Sequence, residues 1–229
     1  MSRGNIYDGR GGYEAYIAEV SAGYDRPEGW WYRFAKRTVD LIAALFGLLL
    51  LIPLLPFIIA MIKLETSGPV LFNQVRVGKR GRLFCCHKFR SMSVDAEARK
   101  DELAHLNEAT GAAFKIKNDP RVTRVGRFLR RSSLDEFPQL WNVLRGEMSI
   151  VGPRPQIPDE VAEYTPQQAL RLLATPGLTC LWQVSGRSHL DFAEWMALDQ
   201  EYVRKRGLRY ELGILLRTLP AVIERKGAY

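Results

Sequence analysis

Histidine and cysteine are scarce in this chain of 229 residues, and where they fall excludes common metal chemistry. Cys85, Cys86 and Cys180 show no Cys-x-x-Cys spacing, and His87, His105 and His189 no His-x-x-x-His, so a zinc site is not expected. An odd, sparse count also argues against a disulfide framework, and the thiols are expected to be reduced in a cytosol-facing body. Other absences narrow the phosphate chemistry. No Gly-x4-Gly-Lys-Ser/Thr loop is present, and no Asp-x-Asp of the kind that holds metal in many nucleotide-sugar enzymes. Zinc-finger and RNA-recognition aromatic motifs are missing too, which speaks against nucleic acid as partner. There is no internal repeat and no low-complexity tract.

What the chain does carry is positive charge, +8 formally, which calls for anionic partners: phosphorylated small molecules or an acidic membrane surface among them. The length suits one well-cored body with an appendage.

It also carries one long apolar run. Leu41 to Ile62, LIAALFGLLLLIPLLPFIIAMI, is uncharged over 22 residues. As a straight helix it would measure about 33 Å, against a bilayer core of about 30 Å. Pro53 and Pro56 each remove a backbone donor near its middle and predict a sharp bend. Each arm would then reach about 15–20 Å, roughly one leaflet, so the helix could dip in and return. Lys36 and Arg37 precede the run while Lys63, Arg76, Lys79, Arg80 and Arg82 follow it, marking both ends as cytoplasmic. A re-entrant hairpin satisfies both flanks; a Pro-kinked spanning helix is the alternative. A secretory signal does not fit, because some forty residues precede the run and no small-x-small site follows it.

Residues 1–35 lack a sustained period and read as a loose extension, with Trp30 and Trp31 suited to a membrane interface. Residues 69–92 hold two β-prone runs around Gly78 and Gly81 and predict a hairpin with a cationic tip. Ser93 to Asn107 is a polar helix candidate, and Asn118-Asp119-Pro120 marks a turn. Helical periods follow over 190–205 (Phe192, Trp195, Met196, Tyr202, Val203) and 212–224 (Leu212, Leu215, Leu216, Leu219, Val222). Such stripes are usually core, although a basic amphipathic helix over 212–226 could also lie on an anionic membrane.

The chemically suggestive stretch is RRSSLDEFPQLWNV, residues 130–143. Leu134, Phe137, Leu140, Trp141 and Leu144 predict an amphipathic helix with Asp135 and Glu136 in its first turn. Ser133 and Glu136 have capping-box spacing, and Pro138 favours a later start with Asp135 as cap, so the acids could simply cap a helix. Their surroundings point elsewhere. Arg121, Arg124, Arg127, Arg130 and Arg131 precede them, and Gly152-Pro153-Arg154-Pro155 follows. Arginine forks bind phosphate at two points, and a carboxylate among phosphate binders is poised to attack phosphorus or to hold Mg²⁺.

Four stretches carry a resemblance: KRTVDL (36–41), GPVLFNQVRVGKRGRLFCCHKFRSM (68–92), DPRVTRVGRFLRRSSLDEFPQLWNVLRGEMSIVGPRP (119–155) and PGLTCLWQVSGRS (176–188). Together, from about Lys36 to the C-terminus, the chain resembles the bacterial sugar transferase family, monotopic phosphoglycosyl transferases acting on polyprenyl phosphate. The resemblance implies transfer of a phosphosugar, expected to be a hexose 1-phosphate, from a UDP-sugar to undecaprenyl phosphate. UMP is released through a covalent phosphosugar-aspartate, as the first membrane step of exopolysaccharide or O-antigen synthesis. It implies Asp135 as nucleophile, Glu136 as its partner and Mg²⁺ ligand, and Lys88, Arg90, Arg130, Pro153 and Arg154 as substrate-binding residues. It implies a cytoplasmic-face site on the bacterial inner membrane, contact with membrane lipid, a homodimer by analogy, and a proline break in the membrane helix that Pro53 matches. Ile52 stands where the family often has Ser before that proline, and Cys180 where it often has Gly. The extra N-terminal membrane helices and domain of larger members are not seen.

The expected architecture is α+β and mostly helical. A small β-hairpin, one re-entrant helix broken at proline and amphipathic membrane-surface helices are divided into an extension (1–35), the membrane helix (36–63) and a cytosolic catalytic domain (64–229). Two rival classes are a membrane-anchored basic binding module and a phosphatase on lipid phosphates, the latter distinguished by release of free sugar phosphate.

Overall fold

The computed structural model describes residues 14–21, 28–108, 114, 116–186 and 190–223. In chain order, α1 (Glu14–Ser21) is followed by α2 (Trp30–Leu51), a 3-10 turn at Ile52–Leu54 and α3 (Leu55–Glu65). The hairpin β1 (Leu71–Val77) and β2 (Leu83–Phe89) comes next, then α4 (Arg124–Arg131), α5 (Gln139–Arg145) and β3 (Ser149–Val151). Short helices α6 (Pro158–Ala162) and α7 (Pro166–Ala169) lead to β4 (Gly177–Thr179), α8 (Phe192–Lys205) and α9 (Leu208–Ile223).

The apolar run begins its helix at Trp30 and passes Pro53 as a 3-10 turn, which tolerates a residue lacking its N–H. Most of its surface lies bare: Ile42, Phe46, Leu49, Ile52 and Phe57 are all more than half exposed. One stripe packs. Ala44 joins Phe84, Leu140, Val143 and Met148 in one cluster, and Leu51, Ile58 and Ile62 join Phe89 and Leu129 in another. Its ends are pinned by polar ties. Arg37 donates to the carbonyls of Val143 (2.6 Å) and Leu144 (2.7 Å) in the last turn of α5. Lys36 meets Glu211 of α9 at 2.8 Å. At the other end Glu65 accepts from the N–H groups of Arg124 and Val125, the unpaired donors at the start of α4.

The hairpin forms as expected, antiparallel, with Leu71 opposite Phe89 and Val77 opposite Leu83. Alternation places Phe84, Cys86 and Lys88 on one face. A parallel pair, β3 with β4, was not anticipated; Ser149 lies opposite Gly177 and Val151 opposite Thr179. The chain passes close to itself just beyond it: a Cβ on Gly177 would stand 2.1 Å from the Gly152 nitrogen. Only glycine fits there, and the contact fixes the loop that carries Arg154.

Several expectations need correction. Ser93–Asn107 forms turns and a 3-10 turn at Ala104–Leu106 rather than a helix, because apart from Ala96 it has little apolar surface to bury. The helix expected from Leu134 is split: a 3-10 turn at Leu134–Glu136 precedes α5, which starts after Pro138, and Trp141 lies 53% exposed instead of joining the buried stripe. The extension is not uniformly loose, since Ile17 of α1 is buried in the main core beside Val161, Tyr164 and Leu172; its residues 1–13 and 22–27 lie outside the described residues. In α8, Met196, Tyr202 and Val203 are buried as expected, whereas in α9 Leu212 and Leu216 face outward and Ile214 fills the core. The side chains of Leu219 and Val222 lie outside the described residues. All three cysteines are free.

Candidate active site

The turn that carries the acid pair is set by Ser133. Its φ of 56° is left-handed, uncommon for a residue with a Cβ, and it ends α4 and redirects the chain. Neither acid caps a helix. Thr123 caps α4 by accepting from Gly126 N–H at 2.8 Å, while Pro138 precedes α5 with no side-chain bond. The capping-box reading of Ser133 and Glu136 therefore falls, and the two carboxylates are held by other groups.

Glu136 Oε1 accepts from Lys88 Nζ at 3.2 Å and from Arg154 Nη2 at 2.6 Å. Burial alone would raise this carboxyl, but the Arg154 and Lys88 cations hold it far below the ordinary carboxylate range. Arg154 is held above its ordinary value by Glu136, while burial lowers Lys88. Asp135 is buried and goes the other way. Burial first, then the adjacent Glu136 charge, push it up to about 6 against the pull of Lys88, Arg130 and Arg154. Two neighbouring carboxylates are thus driven apart: one is permanently ionised in an ion-pair cage, the other lacks such a cage.

Of the residues expected from sequence, Lys88, Arg154 and the acid pair meet directly. Arg130 acts on Asp135 through its field while its Nε donates to Ser91 Oγ at 2.9 Å. Pro153 is buried and its carbonyl accepts from Gly177 N–H at 2.9 Å, part of the support under Arg154. Arg90 is not brought to the acids. It is 6% exposed, and its guanidinium donates to the Ser67 carbonyl (2.6 Å) and to Thr66 O and Oγ1 (both 2.8 Å), tying the end of β2 to the turn after α3.

Sequence reasoning passed over three supporting residues. Arg76 on β1 donates to the Pro155 carbonyl at 3.1 Å, and Val77 N–H reaches Gln156 O at 2.9 Å, so the hairpin grips the far side of the Arg154 loop. Arg171 donates to the Arg154 carbonyl at 2.8 Å and to Tyr164 OH at 2.7 Å, and is paired with Asp199 at 2.6 Å. Burial lifts Asp199 to about 6; against its own burial, Arg171 is held above its ordinary range by Asp199 and Tyr164, so both are charged at neutral pH. The readable signal was Asp199 itself, an acid on the buried stripe of α8 between Met196 and Tyr202.

Lys88, Arg76, Arg130 and Arg154 outnumber Asp135 and Glu136, which leaves an unanswered positive field suited to a diphosphate. Among the described residues no group of three or more His, Cys, Asp or Glu side chains forms a metal cage. The acid pair still fits Mg²⁺, which takes one or two carboxylates and completes its shell with substrate phosphates and water. Both cations use Glu136 Oε1, and among the described residues nothing hydrogen-bonds Oε2.

Comparison with known proteins shows the family of the chain. Residues 31–225 match the family described as bacterial sugar transferase. The UDP-galactose-lipid carrier transferase of Erwinia amylovora is 44% identical over 201 residues, 86% of this chain and 42% of that protein. The exopolysaccharide production protein ExoY of Rhizobium meliloti is 43% identical over 199 residues, 85% of this chain and 88% of its relative. The UDP-glucose:undecaprenyl-phosphate glucose-1-phosphate transferase of Caulobacter vibrioides is 42% identical over 202 residues, 85% of this chain and 72% of its relative. Several of these relatives are longer, and the chain spans less than half the length of the Erwinia protein. Over residues 31–225, through the apolar helix, the hairpin and the Asp135–Glu136 turn, this chain belongs to the bacterial sugar transferase family.

Proposed function

We propose that the protein transfers a phosphosugar from a UDP-sugar to undecaprenyl phosphate and releases UMP, through a covalent intermediate on Asp135. The observation that carries this reading is the divergence of the acid pair: Glu136 locked to Lys88 and Arg154, Asp135 buried beside it and pushed up to about 6. A carboxylate of that kind is ionised at neutral pH yet more basic than a free aspartate, as suits a nucleophile.

In the first step an Asp135 carboxylate oxygen attacks the phosphorus bearing the sugar. The bond from that phosphorus to the bridging oxygen breaks, and the oxygen leaves on UMP. Next, a phosphate oxygen of undecaprenyl phosphate attacks the same phosphorus, the Asp135 O–P bond breaks, and the carboxylate returns. Arg154 and Lys88 orient the phosphates and offset the charge that builds on them, and Arg130 holds positive field at Asp135. Glu136, with Asp135, would hold Mg²⁺, whose charge helps neutralise the diphosphate. The names of the relatives, which include galactose and glucose transferases, support a hexose as the sugar.

The ties at both ends of the apolar helix support a re-entrant course. Lys36 and Arg37 bind Glu211, Val143 and Leu144, while Glu65 binds Arg124 and Val125, all within one folded body. A spanning helix would divide that body between two sides of the bilayer. Exposed Phe128 and Trp141, with Arg124, Arg127 and Arg131 around Phe128, suit α4 and α5 to the headgroup level on the cytoplasmic face of a bacterial inner membrane.

The test is to incubate the protein with Mg²⁺, undecaprenyl phosphate and a panel of UDP-sugars, and to assay UMP against UDP. UMP release that disappears in Asp135→Asn, with membrane flotation retained, is expected. Release of UDP, or undiminished turnover by Asp135→Asn, would refute the reading.

A further inference from the structure

A second cationic site lies away from the acid pair. Where the start of α2 meets the hairpin tip and the end of α8 there is a cavity of about 190 Å³ lined by Arg33, Lys36, Arg37, Lys79 and Arg206. Glu28 and Asp40 are the acids of its wall, and Glu211 stands behind it on Lys36, so five cations face three carboxylates. The acids are already engaged. Asp40 accepts from Ser149 Oγ and Ile150 N–H, each at 2.9 Å; Glu28 is shared by Lys79 at 3.1 Å and Arg206 at 3.0 Å. Among the described residues Arg37 bonds only to carbonyls and Arg33 makes no ion pair. The Arg206 side chain is 5% exposed, and among the described residues its buried Nη1 has no hydrogen-bond partner. A cavity lined by more cations than acids, with the exposed Arg33 unpaired among the described residues, calls for an anion with several acceptor oxygens.

The source of that anion follows from the neighbouring side chains. Trp30, Trp31 and Phe34 share the first two turns of α2 with Arg33 and Arg37, and are 70%, 60% and 61% exposed. Bare tryptophans beside cations at the start of an apolar helix belong at the membrane–water interface. We propose that this cavity binds the phosphate of an anionic phospholipid headgroup, separately from the substrates of the acid-pair site. The proposal rests on the membrane reading of α2 and α3 and is independent of the transfer chemistry. Its effect would be to set the start of the membrane helix at headgroup depth.

The test uses the full chain in bilayer discs of equal parts phosphatidylcholine and phosphatidylglycerol, followed by transfer to detergent and mass spectrometry of the retained lipid. Phosphatidylglycerol should be enriched, and Arg33→Gln and Arg206→Gln should each cut the enrichment about fivefold, the loss of one basic contact at an anionic surface. Arg33 is exposed, so its variant keeps the test valid if Arg206→Gln fails to fold. Undiminished enrichment in Arg33→Gln, or none in the wild type, overturns the site. Stabilisation of the lipid-free protein by inorganic phosphate, equal to that by phosphatidylglycerol and lost in Arg33→Gln, would assign the site to free phosphate and overturn the lipid assignment. Flotation on pure phosphatidylcholine vesicles reads the membrane placement by itself: its failure sinks that placement, whereas flotation without enrichment sinks only the headgroup site.

Discussion

Replacing Glu136 by glutamine should lower the pKa of its neighbour, although the change touches no atom of Asp135. In the wild type burial and the Glu136 charge together lift Asp135 from 3.8 to about 6. Glutamine keeps the shape and one carbonyl acceptor but removes the like charge. It also leaves Lys88 and Arg154, now facing a neutral amide, free to act on Asp135. Two unit charges about 5 Å apart at an effective dielectric constant near 20 repel by about 3 kcal/mol, which corresponds to about two pKa units. Burial still acts, but removal of the repulsion and release of the cations both pull downward, so the midpoint should fall by about two units. Arg154→Met should move it the other way. The assay is carbon-13 NMR of labelled aspartate carboxyls in metal-free buffer, with Asp135→Asn to assign the resonance. A midpoint in Glu136→Gln that stays put or rises would refute this account of the pair. UMP release should drop about 10²–10³-fold in the same variant, the usual scale for loss of preorganised charge at a reacting phosphate or acyl group.

Gly126 of α4 packs against the backbone of Ser91, where an added Cβ would stand 1.9 Å from the carbonyl oxygen. Gly126→Ala should therefore destabilise the fold by about 3 kcal/mol despite alanine's better helix propensity, read as a lowered melting temperature in detergent; an unchanged melting temperature would contradict the packing. Asp199, lifted to about 6 by burial, contributes stability that is full below its unfolded value of 3.8 and is lost as pH rises through 6. The melting-temperature gap between wild type and Asp199→Asn should accordingly narrow between about pH 4 and pH 7, by the equivalent of about 3 kcal/mol; a widening gap would reverse the sign of the argument.

The elements that sequence made legible are those whose pattern is local. The 69–92 hairpin announces itself by β-prone runs around Gly78 and Gly81, and α8 by the spacing of Met196, Tyr202 and Val203. The parallel pair of Ser149–Val151 with Gly177–Thr179 is too short for any periodicity and exists only because Gly152 and Gly177 let distant segments touch. The acid pair could be singled out from its arginine context, but not the division of labour within it, which depends on Lys88 and Arg154 arriving from 48 residues before and 18 residues after Glu136. Arg90 shows the converse: in sequence it stands two residues from Lys88, and in space it fastens the turn after α3.

The fastening of α2 also bears on the order of synthesis. Arg37 waits for carbonyls 106 and 107 residues downstream, and Lys36 for Glu211, 175 residues downstream. The apolar helix therefore leaves the ribosome long before the groups that hold its first turns exist. Nascent chains stopped short of Val143 would carry the whole greasy segment with its leading end untethered, and those stopped between Val151 and Glu211 would hold it by backbone carbonyls alone, without the ion pair. Fastening is therefore stepwise: the last turn of α5 supplies the first ties, and the first turn of α9 supplies the ion pair that completes them.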